Sequence, residues 1–178
     1  MSVFLEDERI VLRALTLSDV SDEYVAWLND AEVTKGMETG RFPTSKERLT
    51  DFVARIIHDQ NVVMLAICEK VGGKHIGNIK LDRFDFISGT AELGIMLGDK
   101  NYWGRGIAKD ACRLLIGYAF KTLGLRKVSL TVYSNNPSAQ AVYEALGFSI
   151  EGRLKAHVFV QGEYHDKLWM SIFNSTNP

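Results

Sequence analysis

The stretch Gly98–Ala108, GDKNYWGRGIA, holds the first residues whose types and spacing suggest chemistry. Gly104 and Gly106 stand two apart at the expected start of a helix, so no side chain separates their backbone N–H groups from a ligand. N–H groups at the positive end of a helix favour an anion, above all a phosphate or pyrophosphate. The spacing is not the dinucleotide fingerprint, because Lys109 stands where GxGxxG needs its last glycine, and no GxxxxGK phosphate loop occurs. Residues 100–127 carry seven basic side chains against one acid, Asp110, an excess that attracts polyanions. A second stretch, Asn136–Phe148, places Asn136 and Pro137 at the start of a helix and Gly147 at its end. A third candidate is Glu92, the lone acid of a strand, facing away from Leu93 and Ile95 and suited to accept a proton. His58, His75, His157 and His165 show no HExxH or i,i+4 pairing, and Cys68 and Cys112 fit no ligand spacing. Two buried, reduced thiols and no metal site are therefore expected.

These residues need a scaffold. Ile10–Leu15 reads as a strand, and Ser18 or Asp19 caps a helix to about Leu28 with Val20, Tyr24 and Leu28 on one face. A short helix at Glu32–Lys35 follows, then a loop through Gly36, Gly40 and Pro43. Thr44 or Ser45 opens a helix to about His58. Asn61–Glu69 is a near-continuous apolar run, as in a strand covered on both faces. Gly72-Gly73 turns into a strand from His75 to Phe84, and Ser88-Gly89 leads to Ala91–Leu97. Gly104–Leu123 is the longest helix, stopped by Gly124. Lys127–Tyr133 is a strand, Asn136–Gly147 a helix, and Phe148–Phe159 and Tyr164–Phe173 are strands joined by a turn at Gln161-Gly162. The order βααβββαβαββ gives an α/β or α+β domain, a mixed sheet with helices on both faces.

Composition bounds the function. The 178 residues suit one domain, expected to span 1–178. Lys and Arg number 21 against 22 Asp and Glu, a net charge of −1 that argues against a general nucleic-acid binder. Residues 1–60 carry 7 basic and 12 acidic side chains, and the rest 14 and 10. The start, MSVFLEDERI, lacks the basic flank and apolar run of a signal peptide, and no stretch approaches a membrane span. A cytoplasmic protein without nucleic-acid or membrane partners is expected.

Together the two glycine-bearing stretches resemble the acetyl-coenzyme A signature of the Gcn5-related N-acetyltransferase (GNAT) superfamily, RimJ/RimL-like branch. Gly104 and Gly106 match its Gln/Arg-x-x-Gly-x-Gly/Ala motif, although Asn101 stands where Gln or Arg is usual. Asn136, Ala139, Tyr143, Gly147 and Phe148 match the second motif, and element order extends the likeness over roughly residues 8–173. The resemblance implies a sheet whose Ala91–Leu97 and Lys127–Tyr133 strands splay apart around the pantetheine arm. Ile95, Met96 and Leu97 would bond that arm, the N–H groups of Gly104, Arg105, Gly106, Ile107 and Ala108 the pyrophosphate, and Asn136 the arm again, in competition with capping. Tyr143 matches the family residue that protonates the leaving thiolate, and Glu92 would act as the base.

The expected co-substrate is acetyl-CoA, attacked directly by a primary amine in a ternary complex, since no cysteine is placed to carry an acyl group. The family's acceptor regions correspond here to Tyr24, Trp27, Asn29, Arg41, Phe42, Phe159 and Tyr164. The stretch YVAWLNDAEVTKGMETGRF resembles small-amine and amino-sugar acetyltransferases. The acceptor stays open among amino sugars, polyamines, amino acids and protein N-termini, and the acidic first third leans toward a cation. A homodimer is the expected assembly. The alternative is a non-catalytic acyl-CoA sensor on the same fold.

Overall fold

The computed structural model describes residues 2–175. It contains eight strands: β1 (Leu5–Glu6), β2 (Ile10–Ala14), β3 (Val63–Glu69), β4 (His75–Asp85), β5 (Thr90–Leu97), β6 (Lys127–Tyr133), β7 (Ser149–Val160) and β8 (Glu163–Phe173). The helices are α1 (Asp22–Asn29), α2 (Ala31–Thr34), α3 (Lys46–Ile56), α4 (Ile107–Lys121) and α5 (Pro137–Glu144). The strands form one sheet in the order β1-β2-β3-β4-β5-β6-β8-β7. Among the described residues only the β5–β6 pair is parallel.

One strand was not legible in advance. β1 is two residues long, too short for an alternating pattern, and is set beside β2 by a turn in which the Asp7 carboxylate accepts from the N–H groups of Arg9 and Ile10. The cap of α1 is Ser21, whose hydroxyl accepts from the Tyr24 N–H at 3.1 Å, rather than Ser18 or Asp19. Asp19 is taken by Arg13: the two side chains are buried together and joined by two hydrogen bonds, of 2.8 and 2.5 Å. A buried guanidinium needs a carboxylate, and that demand outweighs the capping preference. The long helix begins at Ile107 and not at Gly104, because both glycines adopt left-handed backbone, φ 70° and 79°, which a right-handed helix cannot contain.

Two apolar layers cover the sheet. Leu65 and Ile67 of β3 point with Ile79, Leu81 and Leu93 toward α4, where Ala111, Cys112 and Leu115 meet them. Ala66 and Cys68 point the other way, into a cluster with Tyr24, Trp27, Leu28, Leu49, Val53 and Met96. That two-sided burial is why β3 reads as an unbroken apolar run. No helix among the described residues is long and apolar enough to cross a membrane.

Candidate active site

β5 and β6 part company soon after they meet. Their register covers Thr90↔Lys127, Ala91↔Val128 and Glu92↔Ser129 and then stops, so the β6-facing edge of Leu93–Leu97 has no partner strand. On its other edge β5 stays paired with β4 up to Gly77↔Leu97. A chamber of about 560 Å³ opens at this divergence. Glu92, Gly94 and Met96 of β5 share a face with their β4 partners Asp82, Lys80 and Asn78, and β6 and β8 add Thr131 and Tyr133 opposite Trp169 and Lys167. The far wall comes from α3 and the loop before it, through Thr44, Arg48, Leu49 and Phe52.

Beyond the end of β5 the chain turns into α4. Ser21, Asp30, Ser45 and Asn136 cap the other four helices with side-chain oxygens, whereas Gly106 gives α4 none. The first backbone bond of α4 runs from the Asp110 N–H to the Gly106 carbonyl, so the N–H groups of Ile107, Ala108 and Lys109 are left for an anion. Arg9 steadies this turn: one guanidinium nitrogen donates to the Arg105 carbonyl at 2.6 Å and another pairs with Asp110, which Arg113 also reaches at 3.0 Å. Drawing the Arg105 carbonyl toward Arg9 leaves the N–H side of the turn open.

Residues 9–149 match the family described as acetyltransferase (GNAT) domain. The chain belongs to the GNAT acetyltransferase family. It is 33% identical over 125 residues to the spermidine N(1)-acetyltransferase of Escherichia coli (strain K12), a match covering 70% of this chain and 66% of that protein, somewhat less than two thirds of its length. The uncharacterized N-acetyltransferase p20 of Bacillus licheniformis is 30% identical over 172 residues, 94% of each chain. Among solved structures, the spermidine N-acetyltransferase of Vibrio cholerae in complex with CoA and spermine superposes with a TM-score of 0.86 at 27% identity, over 95% of this chain and 98% of that one.

Within this GNAT site the expected residues fall into three groups. Glu92, Ile95, Met96, Tyr143 and Tyr24 line the chamber. Tyr143 also packs against the α4-side core, edge-on to Phe148 at 5.9 Å, which sets it at the opening between the layers. Burial, followed by the nearby Cys112, pushes its phenol well above the usual range, so its hydroxyl stays protonated. Burial pushes Tyr24 up to about 12 and the Cys112 thiol, at the base of α4, to about 12 as well. Gly104, Arg105, Gly106, Ile107 and Ala108 form the turn into α4, with Ile107 itself anchored in the core. The Leu97 carbonyl is already engaged, accepting from the Trp103 indole at 2.8 Å. Asn136 caps α5 through its oxygen, 3.2 Å from the Ala139 N–H. The expected competition is therefore milder than drawn, since capping uses the acceptor and leaves the amide donor beside Gly36.

The other acceptor candidates lie outside the chamber lining. Trp27 is a core pillar: a Cβ on Gly98 would stand 2.1 Å from its ring. Asn29 staples the α2–α3 loop, bonding both the N–H and the carbonyl of Thr44. Arg41 and Phe42 are exposed on that loop, and Phe159 and Tyr164 meet with tilted rings at the exposed tip of the β7–β8 hairpin. The polar row of β4, in contrast, was readable and was missed: Asn78, Lys80 and Asp82 alternate with Ile79 and Leu81. Arg83 follows them at φ 52°, where the register slips between Asp82 and Asp85, and its guanidinium reaches Glu92 at 3.2 Å. His75 lies edge-on to Tyr24 and Trp27, and burial pushes its imidazole below the usual range.

Proposed function

We propose that the protein moves an acetyl group from acetyl-CoA to a primary amine by direct attack within a ternary complex. The observation that carries this reading is the unpaired edge of β5, which ends on one side at the chamber holding Glu92 and on the other near the helix start without a side-chain cap. The free N–H groups of Ile107 to Lys109 suit the pyrophosphate, and the edge from Leu93 to Leu97 suits the amide-rich pantetheine arm. When bound, acetyl-CoA supplies the activated acyl carbon. A free N–H on the β5 edge would then steady negative charge on the thioester oxygen.

The remaining work is proton transfer. An alkylammonium has a pKa of about 10, so producing the free amine near neutral pH costs roughly 4 kcal/mol. Glu92 takes that proton, directly or through a water, with its carboxylate oriented by Arg83. Tyr143, held protonated by burial, donates to the departing thiolate. The spermidine acetyltransferase relatives support a small amine as acceptor. A homodimer belongs to the same proposal, and sedimentation reads it. The decisive experiment is thiol release from acetyl-CoA across a panel of primary amines. Acetylated product with equimolar thiol is expected; binding of CoA with no release for any amine replaces this reading with a sensor.

A further inference from the structure

We propose that the acceptor is a monoamine carrying an anionic group, a carboxylate or a phosphate, and that Arg48 holds that group. The inference rests on the acetyltransferase reading and narrows its acceptor. It follows from how the chamber's charges are matched. Lys80 pairs with Asp82, Arg83 with Glu92 at 3.2 Å, and Lys167 with Glu38 at 3.1 Å. These are all the carboxylates of the lining, and each already has a cation. Arg48 is left over. Its guanidinium donates to the Pro43 carbonyl at 3.1 Å and meets no carboxylate among the described residues. Four cations against three acids leave the lining with a charge of +1.

The acids of the first third do not alter this balance. Asp22 is engaged by Lys46, Glu23 by Lys74, and Asp30 and Glu32 by Lys100, all outside the chamber. An ammonium entering for acetylation can share Glu92 with Arg83. A second or third ammonium of a polyamine must displace a lysine or arginine from its partner, in a space that already repels cations. Hydrogen bonding points the same way. Asn78 is 3% exposed, and its oxygen is committed to His75, whose Nε2–H is shared with the Gly77 carbonyl. Its amide nitrogen has no partner among the described residues. A lining with a surplus cation and a spare donor calls for a ligand rich in acceptor oxygens.

The test compares amines matched in length. δ-Aminovalerate, pentylamine and cadaverine share a four-methylene aminoalkyl chain that ends in a carboxylate, a methyl group or an ammonium-bearing methylene. Phosphoethanolamine beside ethanolamine asks whether phosphate replaces carboxylate. Specificity constants measured by thiol release should rank the anionic above the neutral above the dicationic probe, with steps of about tenfold for one charge pair. Arg48→Gln should shrink the ratio of δ-aminovalerate to pentylamine by about tenfold, through KM, and Arg48→Lys should restore part of it. Cadaverine or spermidine outperforming the anionic amines overturns the proposal, as does rejection of every anionic probe or a ratio that Arg48→Gln leaves unmoved. Calorimetric binding of CoA is read alongside. A protein that binds CoA and acetylates other amines but rejects anionic ones overturns this inference alone, whereas one that binds no CoA, or releases no thiol with any amine, overturns the acetyltransferase reading with it.

Discussion

The roles proposed for Tyr143 and Glu92 make separable predictions. The Tyr143 ring is packed against Phe148 and the α4-side core, so Tyr143→Phe removes a hydroxyl and leaves the packing in place. Loss of a general acid should lower kcat by about 10²–10⁴-fold with little change in CoA affinity. Turnover within about threefold of wild type, with chemistry rate-limiting, would take Tyr143 out of the mechanism. Because burial raises its phenol, tyrosine ionisation should add no falling limb to the rate profile below pH ~10. Glu92→Gln has a different signature. Its defect should be greatest near neutral pH and fade as pH rises toward the amine pKa of about 10, where the acceptor deprotonates unaided. A defect constant across that range would assign Glu92 to binding Arg83 instead of a proton.

Among the elements, the strands and long helices were legible because alternation and helical spacing record which faces are covered. Their ends were not, because ends are set by single interactions. The start of α4 depends on two left-handed glycines, and the cap of α1 on the claim that Arg13 makes on Asp19. Each makes a prediction. Gly104 has φ 70° and open space around a Cβ, so conformation alone selects it. Gly104→Val should weaken CoA binding by more than about tenfold, since left-handed backbone costs an L-residue roughly 1–2 kcal/mol. Gly104→Asn, which tolerates that backbone, should bind better than Val, and equal binding by both would separate the turn from the cofactor. At Asp19, burial pushes the carboxyl up, but Arg13 and Thr16 hold it below its ordinary value on balance. A depressed folded pKa contributes stability above the unfolded value of about 3.9, and that stability is lost as pH falls through the folded pKa. Asp19→Asn should cost about 3–5 kcal/mol near pH 7 by removing the carboxylate that accepts two hydrogen bonds from the Arg13 guanidinium. Its gap from wild type in denaturant titrations should close below pH ~4; a gap constant with pH would deny the pair its role.

At the scale of the whole molecule, the turn proposed to hold the phosphates is local in sequence, so Gly104 and Gly106 mark it, whereas the acceptor side is not local. The chamber is assembled from β3, β4, β5, β6, β8, α1, α3 and α5, and of the acceptor residues expected from the sequence only Tyr24 lines it, because facing across a sheet depends on register and splay. The same assembly leaves the sheet joined at its centre by three residue pairs between β5 and β6, with α4 packed across the strands. A ligand seated along the free β5 edge should therefore brace the two halves. At about a hundred times its dissociation constant, acetyl-CoA should add roughly 2.7 kcal/mol, and for a chain of this size that raises Tm by about 5–10 °C. Hydrogen exchange localises the effect: amides of Leu93–Leu97 and of the α4 start should gain the most protection, and the β7–β8 hairpin tip the least. A rise in Tm with protection elsewhere, and none along β5, would move the cofactor out of the opening between the strands.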